Sequence, residues 1–350
     1  MIRARSTQTP TRPHRSGSSS VRRMAVAAWL LVLVALPGAG TVAQSPSPAG
    51  VWPLQLVDDE GTSVTIPARP ERVISLSPAN TEIAFALGAG DRLVGGTDFD
   101  DFPAEAVALT DVATFNGVLM EQVVALDPDL VLAAGNFFTP PADVARLREL
   151  GYPVVVVYAA TVEEVLDDIE LIGDALGEGP AARDLTASMQ AGIDQVTAAV
   201  AATAERPRTF YQIGSEPEIY APAPGSFVAD MVALAGGDPI VTTDPNVFAI
   251  PVEQLIAADP EVIVVGDALY GICPVDVIAR PGWSVMTAVK EGAVRPVDDT
   301  LITRPGPRLP QGLANLARAI HPDLALDEIP VVEPPCSTAG AGRTRTLAVR

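Results

Sequence analysis

Histidine and cysteine are nearly absent from this sequence. The 350 residues contain two histidines, His14 and His321, and two cysteines, Cys273 and Cys336. Structural zinc sites draw on several His or Cys ligands, and a Ser-His-Asp triad needs a histidine base. His321 precedes a proline at the end of a predicted helix, which favours a structural role. We therefore expect neither a metal site nor a cofactor.

Several catalytic and nucleotide-binding motifs are also missing. The chain has no Gly-x-x-x-x-Gly-Lys-Ser/Thr loop and no Gly-x-Ser-x-Gly elbow, and Gly88-Ala89-Gly90 lacks the third glycine of a dinucleotide fingerprint. The sequence therefore predicts a protein that is not an enzyme. The alternative from another functional class is a secreted α/β hydrolase that uses Ser77 or Ser215 as its nucleophile.

Basic residues are scarce after the first 23 positions. The chain has 23 basic and 43 acidic side chains and a formal net charge of −20, and six arginines lie in residues 1–23, ahead of an apolar run at residues 24–36. This pattern predicts a cleavable signal peptide at residues 1–43 and a periplasmic or extracellular location, with a retained membrane anchor as the alternative. Nucleic-acid partners need a basic patch and are not expected. No cysteine lies near the predicted cleavage site, so a lipoprotein is not expected.

Short runs of Val, Ile and Leu alternate with helical patterns along most of the chain. Runs such as Leu130–Ala133 and Val154–Val157 lack polar alternation, which is typical of strands buried on both faces of a parallel sheet. The predicted fold class is α/β, with two Rossmann-like lobes around mostly parallel sheets. The predicted segments are a lead-in with a small hairpin at 44–68, lobes at 69–160 and 207–325, linker helices at 161–206 and a tail at 326–350.

Two consecutive helices are predicted between the lobes. Thr161 and Glu164 have the spacing of a capping box, and Gly177 is typical of a helix end. The second helix is predicted over residues 181–204, where apolar residues step by three or four and form one stripe. At 1.5 Å per residue it would be ~36 Å long, which is enough to join two lobes.

An internal repeat relates the two lobes. Residues 120–132, MEQVVALDPDLVL, recur as residues 252–264, VEQLIAADPEVIV, and residues 87–91 have a weaker echo at 234–238. Each copy of the longer repeat predicts a short helix, an Asp-Pro turn and a buried strand. Two similar lobes imply a cleft between them, and small ligands often bind in such clefts.

Loops that follow the predicted strands carry most of the candidate ligand contacts. Ligands of open α/β sheets bind at the carboxyl ends of the strands. Only 5% of the chain is aromatic, yet aromatic residues concentrate in these loops, which indicates an apolar surface for a large ligand. Ser77 either caps a helix or contacts the ligand. The loop aromatics are Phe99, Phe102, Phe115, Phe137, Phe138, Tyr220, Phe248 and Tyr270.

Three segments resemble a known family. Residues 72–88 (RVISLSPANTEIAFALG), 99–103 (FDDFP) and 121–132 (EQVVALDPDLVL) resemble the helical-backbone class of periplasmic substrate-binding proteins, and within it the cobalamin-binding group. The resemblance extends from about residue 66 to residue 323. It implies a carrier that holds a cobalamin-type corrinoid in the cleft and delivers it to the permease and ATPase of an ABC importer. An iron(III)-siderophore or haem carrier is the alternative within the class. We expect a monomer.

The resemblance also implies roles for individual residues. Glu121 and Glu253, which the repeat also relates, would form salt bridges with the permease subunits. In the cleft segment, Leu301 and Ile302 stand where the family has aromatic residues. With the loop residues above, the predicted ligand-binding set is Ser77, Phe99, Phe115, Phe137, Tyr220, Phe248, Thr300, Leu301, Ile302, Thr303 and Arg304.

The two cysteines are expected to pair because the protein is expected to be exported. Disulfides form and persist in oxidising compartments. A bond between Cys273 and Cys336 would tie the tail to the second lobe. Two free thiols are the alternative.

Overall fold

The computed structural model describes residues 51–135, 138–326, 329–330, 332–333 and 335–336. The predicted signal peptide and Phe137 lie outside these residues, so the signal peptide and the ligand contact of Phe137 stay predictions. The described part begins with an antiparallel hairpin of β1 (Leu54–Val57) and β2 (Ser63–Ile66), which confirms the predicted hairpin. No helix in the described ranges is both long and apolar enough to cross a bilayer.

The first lobe contains a six-stranded sheet in the order β6-β5-β4-β3-β7-β8. All neighbouring strands are parallel except β5 and β6. Helical segments between most strands allow the parallel order, because parallel strands need a crossover connection. The strands are β3 (Val73–Ser75), β4 (Leu93–Thr97), β5 (Thr110–Thr114), β6 (Gly117–Val118), β7 (Leu130–Ala134) and β8 (Val154–Val157). The helices are α1 (Pro78–Ala86), α2 (Met120–Leu126) and α3 (Pro141–Glu149).

The second lobe contains a four-stranded parallel sheet in the order β10-β9-β11-β12. Within the described chain, no strand pairing joins the two sheets. Because each lobe has its own mostly parallel sheet, the predicted α/β fold with two lobes is confirmed. The strands are β9 (Arg208–Gln212), β10 (Asp238–Pro239), β11 (Val262–Val265) and β12 (Val294–Pro296). The helices are α6 (Phe227–Leu234), α7 (Val252–Ala258), α8 (Pro274–Ile278), α9 (Thr287–Lys290) and α10 (Leu309–Ile320).

Two helices connect the lobes, as the sequence predicts. Helix α4 (Val162–Leu176) begins with the capping box of Thr161 and Glu164 and ends at Gly177, which has a left-handed backbone. Helix α5 (Gly179–Ala201) has 23 residues and is therefore ~35 Å long. It begins two residues before the predicted start and ends three residues before the predicted end. The Thr203 hydroxyl group bonds to the Val200 carbonyl at this end, 2.8 Å away.

Helix α5 packs against helices on both sides. A Cβ atom at Gly173 of α4 would lie 2.3 Å from the Ala182 Cβ of α5. A Cβ atom at Gly192 of α5 would lie 2.9 Å from the Pro310 Cβ of α10. Apolar residues of α5 belong to one hydrophobic core that also includes residues of both sheets. The helical connection is therefore a packed element of the fold.

The predicted repeat is visible in backbone detail. Helices α2 and α7 end at Asp127 and Asp259, which both have φ 45° and ψ values of 64° and 70°. This left-handed conformation is uncommon for residues other than glycine, although Asp tolerates it better than most. The strands that follow, β7 and β11, each pair in parallel with the first strand of their lobe, β3 or β9. The two lobes therefore share one local unit.

A disulfide joins Cys273 to Cys336, with 5.7 Å between their Cα atoms and a sequence separation of 63. The predicted pairing is therefore confirmed. Cys273 precedes α8, so the bond ties the end of the described chain to the second lobe. Arg318 of α10 also donates a hydrogen bond, 2.7 Å long, to the Ile329 carbonyl of this segment.

Candidate functional site

Loops at the carboxyl ends of the strands in the two lobes contact each other. Arg304, which follows β12 in the second lobe, forms an ion pair with Asp101, which follows β4 in the first lobe, at 2.5 Å. Its guanidinium group also lies 3.4 Å from the Phe99 carbonyl oxygen. We call the space between these two sets of loops the interlobe cleft. Its position agrees with the rule that open α/β sheets bind ligands at the carboxyl ends of their strands.

The exposed aromatic side chains of the described residues all follow a strand of one of the two sheets within five positions. Phe115, directly after β5, is 89% exposed, and Tyr270, after β11, is 71% exposed. Exposed aromatic groups concentrated at one edge are typical of a binding surface. Ligand contact by Phe99 and Phe115 stays a prediction. The exposed aromatics are Phe99, Phe102, Phe115, Phe138, Tyr158 and Tyr270.

Tyr158 is a member of this set that the sequence reasoning missed. It directly follows the valine run of β8 and is exposed, whereas the four valines before it are buried. Its backbone N–H donates to the Asp59 carboxylate at 2.6 Å, which fixes the backbone where the strand ends. An aromatic residue immediately after a buried apolar run is the signal that could have identified it.

The structure removes Leu301 and Ile302 from the predicted ligand-binding set. Their side chains are 3% and 0% exposed and point into the protein interior. Helix α10 packs closely against this turn, because a Cβ atom at Gly312 would overlap the Leu301 carbonyl group. Neither side chain reaches the cleft surface, and close packing of α10 is the physical reason.

Ser77 is buried and caps α1. Its hydroxyl oxygen accepts a hydrogen bond from the Asn80 backbone N–H at 3.3 Å, so the capping interpretation is confirmed. The hydroxyl of Ser215, the other nucleophile of the hydrolase alternative, donates to Asp267 at 2.7 Å. His321 lies at the far end of α10, with Nε2 3.2 Å from the Gly236 carbonyl oxygen. Neither serine therefore has a histidine base, because His321 is the one histidine in the described chain.

The other predicted ligand residues of the second lobe are half-buried. Tyr220 bridges the segments that contain Gly214 and Ala249, and the Phe248 carbonyl accepts a hydrogen bond from Ala221. These bonds place the backbone of Tyr220, which follows β9, beside that of Phe248, which follows β10. The predicted contacts of Tyr220 and Phe248 with a ligand stay predictions.

Thr300 and Thr303 are tied to acidic residues of their own segment. The Thr300 hydroxyl donates to Asp298 at 2.7 Å, and the Thr303 hydroxyl donates to Asp299 at 3.0 Å. Both threonines are half-buried. They hold the backbone of the segment that leads to Arg304, and their predicted contact with a ligand stays a prediction.

Arg304 belongs to an ion cluster centred on Glu82 of α1. Glu82 is buried, and its carboxylate pairs with Arg304 at 3.2 Å and with Arg308 at 2.6 Å. Arg308 also donates from Nε at 2.8 Å, which makes this pair bidentate. The sequence reasoning gave Glu82 no role, since no sequence pattern connects it to an arginine 222 residues away.

Three ionisable groups in the loops at the carboxyl ends of the strands have raised pKa values. Burial raises the pKa of Asp299 to about 6, although hydrogen bonds from Tyr211 and Thr303 oppose the rise. Burial and the neighbouring Asp111 also raise the pKa of Asp98, which follows β4. Partial desolvation, followed by the Asp299 charge, raises the pKa of the Tyr270 phenol, although most of this side chain is exposed.

The arginine side chains in the loops at the carboxyl ends of the strands already have partners within the protein. Besides Arg304 and Arg308, Arg280 donates from Nη1 to the Gln212 side chain at 2.6 Å and lies over the Trp283 ring, 4.7 Å from its centroid. Burial lowers the pKa of Arg280. The cleft therefore offers aromatic rings and carboxylates, while its positive groups are engaged within the protein.

The predicted docking glutamates occupy equivalent places in the two lobes. Glu121 lies in the first turn of α2 and Glu253 in the first turn of α7, and both are exposed. Both helices end in the same left-handed aspartate conformation, so the two carboxylates start from similar local frames. The geometry is compatible with docking, which stays a prediction.

A surface depression of about 430 Å³ lies away from the cleft, between the hairpin and the start of β8. Arg69, Asp129 and Arg148 line it together with residues of β2. It lies near the amino ends of β7 and β8, whereas the predicted ligand residues follow the carboxyl ends of strands. None of the predicted ligand residues lines this depression.

Comparison with known proteins identifies the family. Residues 73–301 match the model of the periplasmic binding protein family. This chain is a member of that family. A similar relative is the uncharacterized ABC transporter substrate-binding lipoprotein YvrC of Bacillus subtilis, which is 35% identical over 306 residues, 85% of this chain and 96% of that protein. The family is one of binding proteins, which agrees with the prediction of a protein that is not an enzyme.

Solved structures with different ligands are about equally similar to this periplasmic binding protein. The vitamin B12-binding protein BtuF of Vibrio cholerae has a TM-score of 0.64 at 26% identity and covers 72% of this chain and 97% of its own. The haem-binding protein RhuT of Roseiflexus sp. RS-1 has a TM-score of 0.63 at 25% identity, with coverage of 72% and 98%. Backbone similarity therefore does not distinguish the two ligands.

Extracytoplasmic location fits the periplasmic binding protein family. The Bacillus subtilis relative is a lipoprotein by name, whereas the two cysteines of this chain are joined in a disulfide. The predicted absence of a lipid anchor stays a prediction.

Proposed function

We propose that this protein captures a cobalamin-type corrinoid in the interlobe cleft and delivers it to an ABC importer. The observation that carries the proposal is the combination of exposed aromatic rings around the cleft with arginines that are already paired. Flat rings such as Phe99 and Phe115 suit the apolar faces of a large macrocycle. The amide groups at the edge of a corrinoid are uncharged and can bond to carboxylates and backbone groups.

The charge of the cleft supports a neutral ligand over an anionic one. Haem carries two propionates, and ferric catecholate complexes are multiply negative, so both need free positive groups. Arg304 and Arg308 are paired with Glu82, and Arg304 also with Asp101. An anionic ligand would have to break these pairs or approach carboxylates such as Asp98, and either step is unfavourable.

A haem carrier is the second candidate, supported by the structural similarity to RhuT. Tyr270 is an exposed phenol at the cleft and could serve as an axial ligand to haem iron. The pairing of Arg304 and Arg308 with carboxylates nevertheless favours a corrinoid, because the haem propionates need free positive groups.

Delivery to an importer is proposed from the two equivalent glutamates. Glu121 and Glu253 are exposed on repeated helices, one on each lobe. A permease with two-fold related subunits could meet both carboxylates with the same basic group. The ABC transporter role of the Bacillus subtilis relative supports this part of the proposal.

Calorimetric titration of the purified protein tests the ligand. Cyanocobalamin, haemin and a ferric tris-catecholate would be titrated in parallel at one pH and salt concentration. The proposal expects one-to-one binding of cyanocobalamin and weaker or absent binding of the two anionic ligands. Heat with haemin or the catecholate, and none with cyanocobalamin, would reject the corrinoid assignment.

A further inference from the structure

Glu82 is a buried carboxylate of the first lobe whose two ion-pair partners lie in the second lobe. Its side chain is 2% exposed, and it pairs with Arg304 at 3.2 Å and with Arg308 at 2.6 Å. Both arginines belong to the segment between β12 and α10. The contact therefore crosses from α1 of one lobe to the entrance of α10 in the other.

Other contacts of the segment between β12 and α10 also join the two lobes. Arg304 also pairs with Asp101 at 2.5 Å, and the Arg308 guanidinium group lies over the Phe102 ring, 4.3 Å from its centroid. We call Glu82, Asp101, Arg304 and Arg308 the interlobe latch. The latch lies at the cleft, because Arg304 also contacts the Phe99 carbonyl oxygen at 3.4 Å.

The chemistry of the latch makes it sensitive to the distance between the lobes. Charge-assisted bidentate bonds such as those of Arg308 to Glu82 are short and directional. If the lobes separated, Glu82 would lose both arginine partners, and the two arginines would lose their shared carboxylate. Breaking charge-assisted pairs to a buried carboxylate is unfavourable, so the pairs resist separation.

We infer that Glu82 is a positioning residue that holds the lobes at one spacing before a ligand arrives. The latch fixes the lobes at the cleft, while α5 packs against α4 and α10 away from it. A cleft of fixed width selects its ligand by thickness. This selection rests on the proposed function, whereas the effect on lobe spacing does not.

Distance measurement in the ligand-free protein tests the latch directly. Nitroxide labels at Glu105→Cys in the first lobe and Glu291→Cys in the second, both exposed positions, report the lobe spacing by pulsed electron resonance. The labelled parent is expected to give one narrow distance distribution. The added variant Glu82→Gln is expected to give a broader distribution. An unchanged distribution in a folded Glu82→Gln protein overturns the inference.

Matched variants separate the latch from general stability. Glu71→Gln breaks an exposed pair with Arg69, only two residues away, and is expected to leave the distance distribution unchanged. Glu82→Asp keeps the charge, so its distance distribution is expected to be narrower than that of Glu82→Gln. If Glu82→Gln does not fold, Asp101→Asn removes the more exposed acid of the latch and is expected to broaden the distribution. No broadening in Asp101→Asn would then overturn the inference.

Ligand binding provides the second readout. We expect Glu82→Gln to weaken cyanocobalamin binding about tenfold, mainly through faster dissociation, because the loosened cleft no longer matches the ligand thickness. A lower melting temperature with an unchanged distance distribution would indicate a purely structural role and would overturn the inference. If the parent protein binds no cyanocobalamin, the proposed function fails, while the distance measurement still decides the latch.

Discussion

Arg208 caps the end of α7 with the same side-chain nitrogen that Arg72 uses to cap the end of α2. Arg72 Nε lies 3.1 and 3.2 Å from the carbonyl oxygens at the end of α2. Arg208 Nε lies 3.2 and 3.1 Å from those at the end of α7. The backbone N–H groups of these arginines donate in turn to Asp129 and Glu261, at 2.9 Å each. Both helices that carry the predicted docking glutamates are therefore held by one repeated arrangement.

Replacing either capping arginine is expected to weaken the fold locally. Arg208→Ala removes a cation from a helix end and leaves carbonyl groups without their partner, so we expect the free energy of unfolding to fall by about 1 kcal/mol. Urea denaturation measures this change. Arg146→Ala removes an exposed pair within α3 and is expected to change stability by less than ~0.5 kcal/mol. Equal effects of the two variants would contradict a capping role.

Reversing the charge of the docking glutamates is expected to block transport without affecting ligand capture. We expect Glu121→Lys or Glu253→Lys to lower ligand-stimulated ATPase activity of the reconstituted importer about tenfold, because like charges would then meet at the interface. Ligand affinity in solution is expected to stay unchanged. Glu149→Lys on α3 is the control, since Glu149 is also exposed. Undiminished stimulation in both glutamate variants would refute the docking assignment.

Removing an exposed ring from the cleft is expected to weaken ligand binding. Phe115 has most of its ring in solvent in the ligand-free protein, so Phe115→Ala should leave stability nearly unchanged. The loss of aromatic contact is expected to reduce cyanocobalamin affinity by roughly tenfold, as calorimetry would measure. Leu150→Ala, an exposed apolar residue after α3, is expected to have no effect on affinity. Normal affinity in Phe115→Ala would remove this ring from the binding surface.

Asp168 is expected to make stability depend on pH. Burial, together with a hydrogen bond to Asp59 and the charge of that residue, raises the pKa of Asp168 to about 9. The unfolded chain releases this proton near pH 4, so the folded state holds one more proton across the interval and stability falls as pH rises from ~4 to ~9. The slope is at most ~1.4 kcal/mol per pH unit.

An Asp168→Asn variant tests the sign of this dependence. The amide cannot ionise, so we expect the variant to be more stable than the parent at pH 8 and to show a flatter pH profile. Urea denaturation at several pH values measures both. Asp194→Asn on the exposed side of α5 is the control and should keep the parental slope. A steeper slope in Asp168→Asn would contradict the assigned protonation.

The disulfide is expected to contribute substantially to stability. A bond that closes a loop of 63 residues restricts the unfolded chain, and its loss is expected to cost about 2–4 kcal/mol. The double variant Cys273→Ser, Cys336→Ser tests this by thermal unfolding with and without reducing agent. The parent should lose stability on reduction and the double variant should not. Equal sensitivity of both proteins to the reducing agent would contradict the assignment.

Local features of this fold could be predicted because neighbouring residues determine them. The capping box of Thr161 and Glu164 and the end of α4 at Gly177 depend on residues within one helix. The repeated helix, turn and strand units depend on a pattern of 13 residues that occurs twice. Such features require no knowledge of how distant parts of the chain pack.

Contacts between distant segments could not be predicted in the same way. The pairing of Glu82 with Arg304 joins residues 222 positions apart, and it depends on tertiary packing that brings the segment before α10 next to α1. The burial of Leu301 likewise depends on close approach at Gly312, not on the sequence around it. A resemblance in sequence indicates which segment lies near the cleft, but tertiary packing decides which side chains of that segment face it.

Helix α5 leaves little freedom for a hinge. It contacts α4 where Gly173 has no side chain and α10 at Gly192, so a larger residue at either position would clash with the neighbouring helix. The two lobes are therefore expected to keep one spacing and not to open and close about a hinge. On the proposed function, the free complex would release its ligand slowly, and the importer would accelerate release by driving the lobes apart.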